Sequence, residues 1–531
     1  MRGLNIGFAM AVLSASLSGP TQAAEGYRNP VVRGMNPDPS IVRVDNDYYL
    51  VTSSFEYFPS CPVYHSLDLV HWELIGYALD RPEQFQALHD AHPSTYACTI
   101  RYHHGTFYAL TTDVRGGGNF LVKAKDPAGP WSLPLTIDKG VFDPSLLFDR
   151  DGRVYYTRRG PDSEHDIVQA EIDPDTGKLR GDLRTISNGF LMDGAEGPHL
   201  YSINGWYYLS LAEGGSRFLH MQTIGRARSP WGPFEPDPQN PWASQHISWD
   251  YPVLTVGHCD LVDTPQRDWW AVCLGTRHYN SRHFSLGRET FLFPVKWKNG
   301  WPSVDTKDMR SLAVGQNPPG QHPFAPTPER DEFDESGLGL QWNVLGPAGL
   351  NTVSLTERPG FLRLHPQPAL SFTQTTAFVG RRQTEWNTVS TVRMEFDPKA
   401  DREMAGLTVF MSPQYHYDLV KTRRDGNFYV QLIKQVSDMH EVAAETPVKD
   451  GPLELRVEST AEKYRFSFAV PGGAWVYIGQ GDERQIASEV ANVWSGMYIA
   501  MFATSAAGSR ATPADFDWFD YKASEERLST H

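Results

Sequence analysis

One hairpin pattern begins again five times between Asn29 and Trp301, and this repetition limits the fold more than any other feature of the sequence. Each copy has an apolar strand, a tight polar turn and a return strand rich in aromatic residues. The turns at Asp151-Gly152 and Asn204-Gly205 are strong hairpin signals, because both central positions can adopt positive φ. Units of roughly fifty residues with several short strands are typical of a β-propeller. The repetition therefore predicts five blades. A β-sandwich would not be expected to repeat the same opening motif at regular intervals.

Three of the five copies open on a short segment that carries one acid. These segments are Asn36-Pro37-Asp38-Pro39-Ser40, Phe142-Asp143-Pro144-Ser145 and Ala195-Glu196-Gly197-Pro198-His199. The first strand of every propeller blade runs along the central channel, so we expect Asp38, Asp143 and Glu196 to face one pocket. At the matching positions, the second copy offers Tyr96 and the fifth offers His258 and Asp260.

Other interpretations of the three acids stay open at this point. An Asp before a Pro at the start of a strand often only caps a turn. Three neighbouring carboxylates can also bind a metal ion, although no Asp-rich calcium loop surrounds these residues. Their equivalent positions in a repeat favour a shared catalytic pocket.

Carboxyl groups in one pocket suit the hydrolysis of a glycosidic bond. This reaction needs a protonated acid beside the leaving oxygen and an ionised carboxylate that activates water on the opposite face of the sugar. A third carboxylate helps to separate the two roles, because a like charge disfavours ionisation of its neighbour. Glu196 has the longer reach and is the predicted acid, Asp38 is the predicted base, and Asp143 would position Glu196 and raise its pKa.

These acid segments, together with Leu286-Gly287-Arg288-Glu289-Thr290-Phe291, resemble those of glycoside hydrolase family 43 over most of Asn29 to Pro302. The resemblance implies a five-bladed β-propeller, an inverting mechanism and action on arabinose- or xylose-bearing plant polysaccharides. It also implies that Asp38 is the general base, Asp143 the pKa modulator and Glu196 the general acid. Inversion in turn requires the carboxyl groups of Asp38 and Glu196 to lie about 6.5–9.5 Å apart, with room for water between them.

The resemblance also suggests residues that bind the substrate. Arg288 would hold sugar hydroxyls, Phe55 would form an aromatic wall, and His258 would line the channel, where some relatives hold calcium through water. Each of the three also has a purely structural interpretation, as a salt-bridging arginine, a core aromatic or a core histidine. Many relatives carry Trp-Ala-Pro where this chain has Tyr96-Ala97-Cys98, which leaves the choice between arabinofuranose and xylopyranose open. No cofactor is required, and calcium is an option.

The C-terminal part of the chain predicts a second domain. Residues 313–330 are rich in Pro and Gly and read as a linker that interrupts any strand or helix. Alternating strands resume over residues 331–531 and indicate a β-sandwich. The segments Asp331-Glu332-Phe333-Asp334 and Leu340-Gln341-Trp342 resemble the concanavalin-like domain that follows the propeller in some family 43 enzymes. Lectin-like binding, a structural calcium site or a wall of the catalytic pocket are the candidate roles, and we expect the wall.

The N-terminal residues indicate export. Residues 1–24 have a basic start, an apolar run and a small-residue end, which predicts a cleaved signal peptide and a propeller domain over residues 25–312. We therefore expect a periplasmic or secreted bacterial protein. The net charge of −15 argues against nucleic acid or an anionic membrane as a partner. The four cysteines are too few for a disulfide scaffold, and Cys259 and Cys273 are either a bridge between adjacent strands or two buried thiols.

The sequence therefore predicts an exo-glycosidase that removes terminal α-L-arabinofuranosyl or β-D-xylosyl residues from xylan, arabinoxylan or xyloglucan. Its partner is an oligosaccharide or polysaccharide substrate, and the oligomeric state is undetermined. An endo-arabinanase with an open groove and a carbohydrate-binding propeller without catalysis are the alternatives. A sialidase is disfavoured, because the chain lacks the repeated Ser-x-Asp-x-Gly-x-x-Trp corner of that class.

Overall fold

The computed structural model describes residues 26–86, 94–161, 166–245, 251–279, 283–305, 312–315, 318, 320–368, 376–505 and 511–525. The predicted signal peptide, residues 1–24, lies outside the described residues. The described chain consists almost wholly of antiparallel strands. Its helices are short: Pro82–Gln86 and Ser488–Ala491 are α-helical, and Pro347–Thr352 and Glu483–Ile486 are 3₁₀ turns.

Five four-stranded antiparallel units follow one another along the chain, and in each unit the strands are ordered in space as in sequence. The strands are Ser40–Val44, Asp47–Val51, Ser60–Ser66 and Glu73–Leu79 in blade 1; Thr99–His103, Thr106–Asp113, Gly118–Ala124 and Leu135–Asp138 in blade 2; Ser145–Phe148, Val154–Arg159, Ile167–Asp173 and Lys178–Ser187 in blade 3; Glu196–Ile203, Trp206–Glu213, Met221–Ala227 and Glu235–Pro236 in blade 4; and Val253–Asp263, Trp269–Arg277, Glu289–Lys298 and Trp301–Val304 in blade 5. A two-residue strand, Ala243–Ser244, also pairs with the third strand of blade 4.

The first strands of neighbouring blades contact one another in a closed cycle, from blade 1 through blade 5 and back to blade 1. They therefore line a central channel, and the predicted five-bladed propeller is confirmed. Asp260 ties the channel together, because its Oδ2 accepts hydrogen bonds from Ser40 Oγ at 2.7 Å and Arg101 Nη1 at 2.9 Å. Its Oδ1 accepts a bond from the Tyr201 hydroxyl at 2.6 Å, so one carboxylate links blades 1, 2, 4 and 5.

The N-terminal segment closes the ring by bonding to blade 5. Asn29 Nδ2 donates to the Leu292 carbonyl at 2.9 Å, and Thr290 Oγ1 donates to the Asn36 carbonyl at 2.7 Å. Tyr27–Arg28 pairs with Ala313–Val314. The stretch predicted as a linker that interrupts any strand thus begins with a short strand, because backbone pairing to the N-terminal segment outweighs its Pro- and Gly-rich composition.

The C-terminal region forms two antiparallel sheets that pack as the predicted β-sandwich. One sheet contains Arg330–Asp331, Val353–Ser354, Leu362–Leu364, Ala514–Ser524, Asn387–Glu395, Leu453–Ser459, Lys463–Ala469 and Val476–Asp482; the other contains Gln367–Pro368, Ala377–Arg382, Tyr498–Ser505, Met404–Ser412, Tyr415–Arg424, Asn427–Val436 and Met439–Val448. Only Gln367–Pro368 pairs in parallel among the described strands.

The propeller and the sandwich share a hydrophobic core. Tyr57–Phe58 of the propeller pairs with Val344–Leu345 of the C-terminal region as a short antiparallel ladder. Behind this ladder the rings of Tyr57 and Tyr498 stack with centroids 3.8 Å apart. Continuous clusters of buried side chains extend from blades 1 and 2 into both sheets of the sandwich. This packing fixes the position of the sandwich against the face of the propeller that carries the acids.

Both pairs of cysteines form disulfides. Cys259 and Cys273 join adjacent strands of blade 5, which decides between the two predicted states in favour of the bridge. Cys61 and Cys98 join blade 1 to blade 2, and this second bridge was not predicted, because the two residues belong to different repeats. Among the described residues, no helix is long and apolar enough to cross a membrane.

Candidate active site

A sharp backbone turn presents each acid to the channel. Asp38 has a φ of 54° and Asp143 a φ of 63°, both in the left-handed region. Asp tolerates this region better than most residues, and such strain is frequent at functional sites. In blade 4 the residue with left-handed angles is not the acid itself but the next residue, Gly197, which follows Glu196 and has a φ of 55°. The repeated kinks aim the three side chains into one space.

Asp38 is held as a carboxylate by its neighbours. Its side chain is buried, Ser53 Oγ donates to Oδ2 at 2.6 Å, and Arg288 Nη1 donates to Oδ1 at 3.0 Å. His258 Nδ1 lies 3.6 Å from the same Oδ1. Burial by itself raises the pKa of Asp38, but Arg288, His258 and the Ser53 hydroxyl outweigh it, so the pKa is lower than its usual value. Asp38 is therefore ionised at neutral pH.

Asp143 and Glu196 form a second, interacting pair of carboxyl groups. The backbone N–H of Gly197 donates to Asp143 Oδ2 at 2.9 Å. Burial and the neighbouring charges of Glu196 and Asp38 raise the pKa of Asp143 well above its usual value. Burial also raises the pKa of Glu196 to about 7, where the charge of Asp38 adds to the rise and Arg159 opposes it. Two neighbouring, largely buried carboxyl groups cannot both ionise readily, so this pair keeps a proton near neutral pH.

The hydrogen bonding of the pair places that proton on Glu196. The N–H bond from Gly197 stabilises the ionised form of Asp143, since a carboxylate is the stronger acceptor. The side chain of Glu196 is 17% exposed and opens into the pocket, where a proton can be passed to a ligand. Asp143 is the more buried of the two. We therefore assign the neutral carboxylic acid to Glu196.

The acids lie at the bottom of a pocket of about 340 Å³. Segments of all five blades and one loop of the sandwich surround it. Its lining residues are Asp38 and Phe55 from blade 1, Tyr96 and Ala97 from blade 2, Phe142, Asp143 and Arg159 from blade 3, Gly194, Glu196, Gly215 and Ser216 from blade 4, His258 and Arg288 from blade 5, and Trp494 from the sandwich. All seven residues predicted from the sequence for catalysis or substrate binding thus line one cavity.

Aromatic rings form one side of the pocket. The rings of Phe55 and Tyr96 meet edge to face with centroids 5.5 Å apart, and Tyr96 lies 5.6 Å from the Phe142 ring. Trp494 lines the same pocket from the sandwich side. The Arg288 guanidinium stands 5.6 Å from Phe55 and 5.8 Å from Trp494. Aromatic faces beside carboxylates and a guanidinium suit a sugar ring, which has apolar C–H faces and polar hydroxyl edges.

Among the pocket residues that the sequence reasoning did not assign to the site are Arg159 and Trp494, and it misplaced Asp260. Arg159 has no motif around it, and Trp494 comes from a loop of the other domain, so no local pattern singles out either residue. Asp260 was expected beside His258 in the pocket, but it lies deeper in the channel, where it accepts the bonds from Ser40, Arg101 and Tyr201 described above. Residues two apart in a regular strand point to the same face. Here the register shift between Gly257 and Asp260, together with the kink at His258 (φ of 47°), turns the two side chains apart.

His258 does not belong to a metal cluster in the part of the chain that the structure describes. No group of three or more His, Cys, Asp or Glu side chains there is arranged to hold a metal ion. A Cβ atom on Gly197 would come within 2.8 Å of His258 Nε2, so the ring packs directly against this glycine. Burial lowers the pKa of His258, and Arg288 adds to the effect, so the ring is neutral at pH 7. These contacts place His258 in the channel beside Asp38 and Gly197.

The arrangement supplies the groups that glycoside hydrolysis needs. An ionised carboxylate, Asp38, and a protonated one, Glu196, share a pocket with a sugar-sized volume. Burial and the charge of Asp38 raise the pKa of Glu196, and Arg288 lowers the pKa of Asp38. An acid and a base in one pocket, with opposite pKa shifts, are the requirement for general acid–base catalysis.

Comparison with known proteins gives the same result. The model of "Glycosyl hydrolases family 43" matches residues 27–302, and that of "Beta xylosidase C-terminal Concanavalin A-like domain" matches residues 330–522. The chain is 42% identical to the non-reducing end α-L-arabinofuranosidase BoGH43B of Bacteroides ovatus, over 94% of this chain and 95% of that protein. It is 33% identical to a xylan 1,3-β-xylosidase of a Vibrio species, over 93% of this chain and 98% of the relative.

Solved structures share the whole architecture. The Bacteroides ovatus xyloglucan PUL GH43B superposes with a TM-score of 0.89 at 39% identity, covering 94% of this chain and all of that one. A xylan β-1,4-xylosidase from Bacillus halodurans gives a TM-score of 0.88 at 33% identity, covering 93% of this chain and all of that one. The propeller, the sandwich, the three acids and these matches establish that the chain belongs to glycosyl hydrolase family 43 and is a glycoside hydrolase.

Proposed function

We propose that the protein is an inverting exo-glycosidase that removes terminal α-L-arabinofuranosyl or β-D-xylosyl residues from xylan, arabinoxylan, xyloglucan or their oligosaccharides. The observation that carries this proposal is the shape of the site. Residues from all five blades and Trp494 of the sandwich line the cavity that holds the acids, and a chain end or a side-chain sugar fits this cavity. A continuous polymer would need a groove that is open at both ends.

The proposed reaction takes place in one step. Asp38 accepts a proton from a water molecule as that water attacks the anomeric carbon. Glu196 gives its proton to the glycosidic oxygen on the other side, and the bond from this oxygen to the anomeric carbon breaks. Asp143 keeps Glu196 protonated before the reaction, and Arg288 orients Asp38. The attack from the opposite face inverts the anomeric configuration.

Two further features support a terminal pentose as the substrate. The curated relatives include a non-reducing end α-L-arabinofuranosidase, a xylan 1,3-β-xylosidase and proteins named xylosidase/arabinosidase. The cavity of about 340 Å³ is small for more than one or two sugar units. Because the relative with 42% identity is an arabinofuranosidase, we propose α-L-arabinofuranosides as the preferred substrates and β-D-xylosides as the second choice.

A panel of aryl glycosides tests the proposal. We expect hydrolysis of the aryl α-L-arabinofuranoside, slower hydrolysis of the β-D-xyloside, and release of the inverted anomer in proton NMR spectra recorded during the first turnovers. Glu196→Gln should lose most activity on substrates with poor leaving groups. Release of the retained anomer would refute the mechanism, and early release of oligosaccharides from arabinan would favour an endo-arabinanase.

We also propose that the protein is exported to the periplasm or the medium. The segment over residues 1–24 has the composition of a cleaved signal, and two disulfides are more common in oxidising compartments than in the cytosol. N-terminal sequencing of the protein from fractionated cells should begin near Glu25. An uncleaved Met1 in the cytosolic fraction would refute the export.

A further inference from the structure

Arg159 occupies a position in the pocket wall that the proposed mechanism does not yet use. It ends the second strand of blade 3, and its backbone N–H donates to the carbonyl of Phe142, next to Asp143. Its guanidinium carbon lies 5.0 Å from the centre of the Phe142 ring. Its Nη1 is 3.7 Å from Glu196 Oε2, beyond normal hydrogen-bond length. The side chain is thus held by the ring and the strand, and it faces Glu196 without closing a tight ion pair.

Three other charged groups, besides Arg159, face Glu196. Asp38 of blade 1 and Asp143 of blade 3 are acids that disfavour its ionisation. Arg288 of blade 5 is a cation, but it donates directly to Asp38. From blade 5, the neutral ring of His258 packs against the adjacent Gly197. Within the described parts of the chain, Glu196 is the one acidic partner of Arg159 at ion-pair distance.

We propose that Arg159 is a positioning residue that stabilises the Glu196 carboxylate as it forms during proton transfer to the leaving group. This inference rests on the proposed role of Glu196 as the general acid. The O–H bond of Glu196 breaks, its proton joins the glycosidic oxygen, and the electron pair of the breaking C–O bond remains on that oxygen. Glu196 becomes negative as this happens, and the fixed charge of Arg159 attracts the new carboxylate more than the neutral acid.

The spacing of 3.7 Å suits this role. A tight ion pair would keep Glu196 ionised before the reaction, because charged hydrogen bonds are short and strong. A slightly longer contact in a buried pocket still acts through a low effective dielectric and needs no reorganisation. An interaction that strengthens on the way to the transition state lowers the barrier instead of only tightening binding.

A leaving-group series separates this role from a structural one. Arg159→Gln should lower kcat/KM about 10- to 100-fold for substrates with a poor leaving group, such as phenyl or methyl glycosides. For 2,4-dinitrophenyl glycosides, which leave without proton donation, we expect a loss of less than about threefold, as acid catalysis contributes little there. The ratio of the two losses does not depend on the fraction of folded enzyme. Arg159→Lys keeps the charge and should restore much of the lost rate.

The matched control is Arg217→Gln, which removes a guanidinium that contacts the ring of Trp494, a residue of the pocket lining. Arg217 contacts the Trp494 ring and donates to Asn492 Oδ1 at 2.7 Å, and it does not face Glu196. Any loss of kcat/KM in Arg217→Gln should be the same for good and poor leaving groups. The basic limb of the pH profile should move to higher pH in Arg159→Gln and stay in place in Arg217→Gln.

The possible outcomes distinguish the inference from the proposed function. If Arg159→Gln lowered kcat/KM equally for all leaving groups and left the basic limb of the pH profile in place, the role of Arg159 would be overturned. Glu196 would still be the acid. Full activity of Glu196→Gln on phenyl glycosides would overturn the proposed function itself. A leaving-group-dependent loss in both Glu196→Gln and Arg159→Gln, with rescue by Arg159→Lys, would support both.

Discussion

Among single residues, the most informative contrast is between two carboxyl groups of one pocket whose pKa values move in opposite directions. Asp38 is buried, yet the cation of Arg288 and the hydroxyl of Ser53 lower its pKa. Glu196 is largely buried and lies near the charge of Asp38, so its pKa rises to about 7. The neighbours, and not the type of side chain, decide which group is the acid and which is the base.

These shifts predict the pH dependence of the reaction. The base must be ionised, so activity should fall on the acidic side only when the pH drops through the lowered pKa of Asp38. The acid must be protonated, so activity should fall on the alkaline side as the pH rises through about 7. The measurement is kcat/KM against pH for an aryl glycoside with a poor leaving group. A rate that still increases well above neutral pH would contradict the assignment, and Glu196→Gln, as the control, should lose the alkaline limb.

Individual acids could be predicted from the sequence because the repeat places them at equivalent positions. Arg159 could not, because its function depends on how blade 3 faces blade 4 across the channel. Asp260 was misplaced for a related reason: it lies only two residues from His258, but the intervening kink sends it into the channel network. Sequence motifs thus identify residues at repeated positions better than they indicate the direction in which a side chain points.

At the scale of structural elements, the turn after Glu196 needs a glycine for two reasons. Gly197 has a φ of 55°, and a Cβ atom there would come within 2.8 Å of His258 Nε2. Gly197→Ala should therefore displace either His258 or the backbone that donates to Asp143, and we expect kcat to fall about tenfold or more, as misplaced catalytic groups lose rate steeply. Assays of kcat together with the melting temperature test this expectation.

Gly105→Ala is the matched control for this prediction. Gly105 also has a positive φ, of 74°, but nothing lies within 4 Å of a Cβ atom at this position. Both substitutions should cost about 1 kcal/mol of stability for the strained backbone. Only Gly197→Ala should lose activity, and an equal loss of kcat in both variants would disprove the role of the His258 contact.

A loop of the sandwich forms the outer wall of the pocket. The short helix Ser488–Ala491 ends at Asn492, which has left-handed backbone angles, and the chain then places Trp494 over the cavity. Ser495 follows and donates to Glu56 Oε1 of the propeller at 3.2 Å. Arg217 of the propeller donates to Asn492 Oδ1 at 2.7 Å, so the loop is fixed to the propeller on both sides of the indole.

Trp494→Ala should weaken substrate binding more than it slows the chemical step. The variant loses the ring beside Tyr96 and Arg288 but keeps all three acids, so we expect KM to rise about tenfold, equivalent to about 1.4 kcal/mol. The control is Trp475→Ala, because Trp475 stacks on Arg456 of the sandwich, with the guanidinium carbon 3.7 Å from its ring centre, and does not line the pocket. An unchanged KM in Trp494→Ala would show that the sandwich does not contribute to binding.

For the whole molecule, the sequence predicts the architecture well where apolar and polar residues alternate. In the sandwich, the alternation predicted within residues 331–531 includes residues 428–434, which lie within the observed strand Asn427–Val436. The strands on either side of it show no such alternation. Tyr415–Arg424 carries polar residues that pair inside the sheet, and Met439–Val448 is an exposed edge strand with few buried side chains. Hydrogen bonding to a neighbouring strand, which no local pattern reports, determines both elements.

The contact between the two domains includes a buried ionic network that should couple their stability. Arg277 of blade 5 donates to Glu289 Oε2 at 2.6 Å and to Glu385 Oε2 of the sandwich at 2.7 Å. The side chains of Arg277 and Glu385 are 2% and 5% exposed, and Arg33 also pairs with Glu385. Removing one partner of a buried pair leaves an uncompensated charge, which is far more costly than losing a surface pair.

Glu385→Ala should therefore destabilise the propeller and the sandwich together. We expect the free energy of unfolding to fall by about 3 kcal/mol, since Arg277 and Arg33 lose a carboxylate at the interface. Calorimetry should show one transition that moves to lower temperature as a unit, because the shared core and the strand pair between Tyr57–Phe58 and Val344–Leu345 join the domains. Glu445→Ala, which breaks the exposed pair of Glu445 with Arg424, should leave the transition in place. Two separate transitions in Glu385→Ala, with activity lost only at the second, would show that the propeller folds and works without the sandwich.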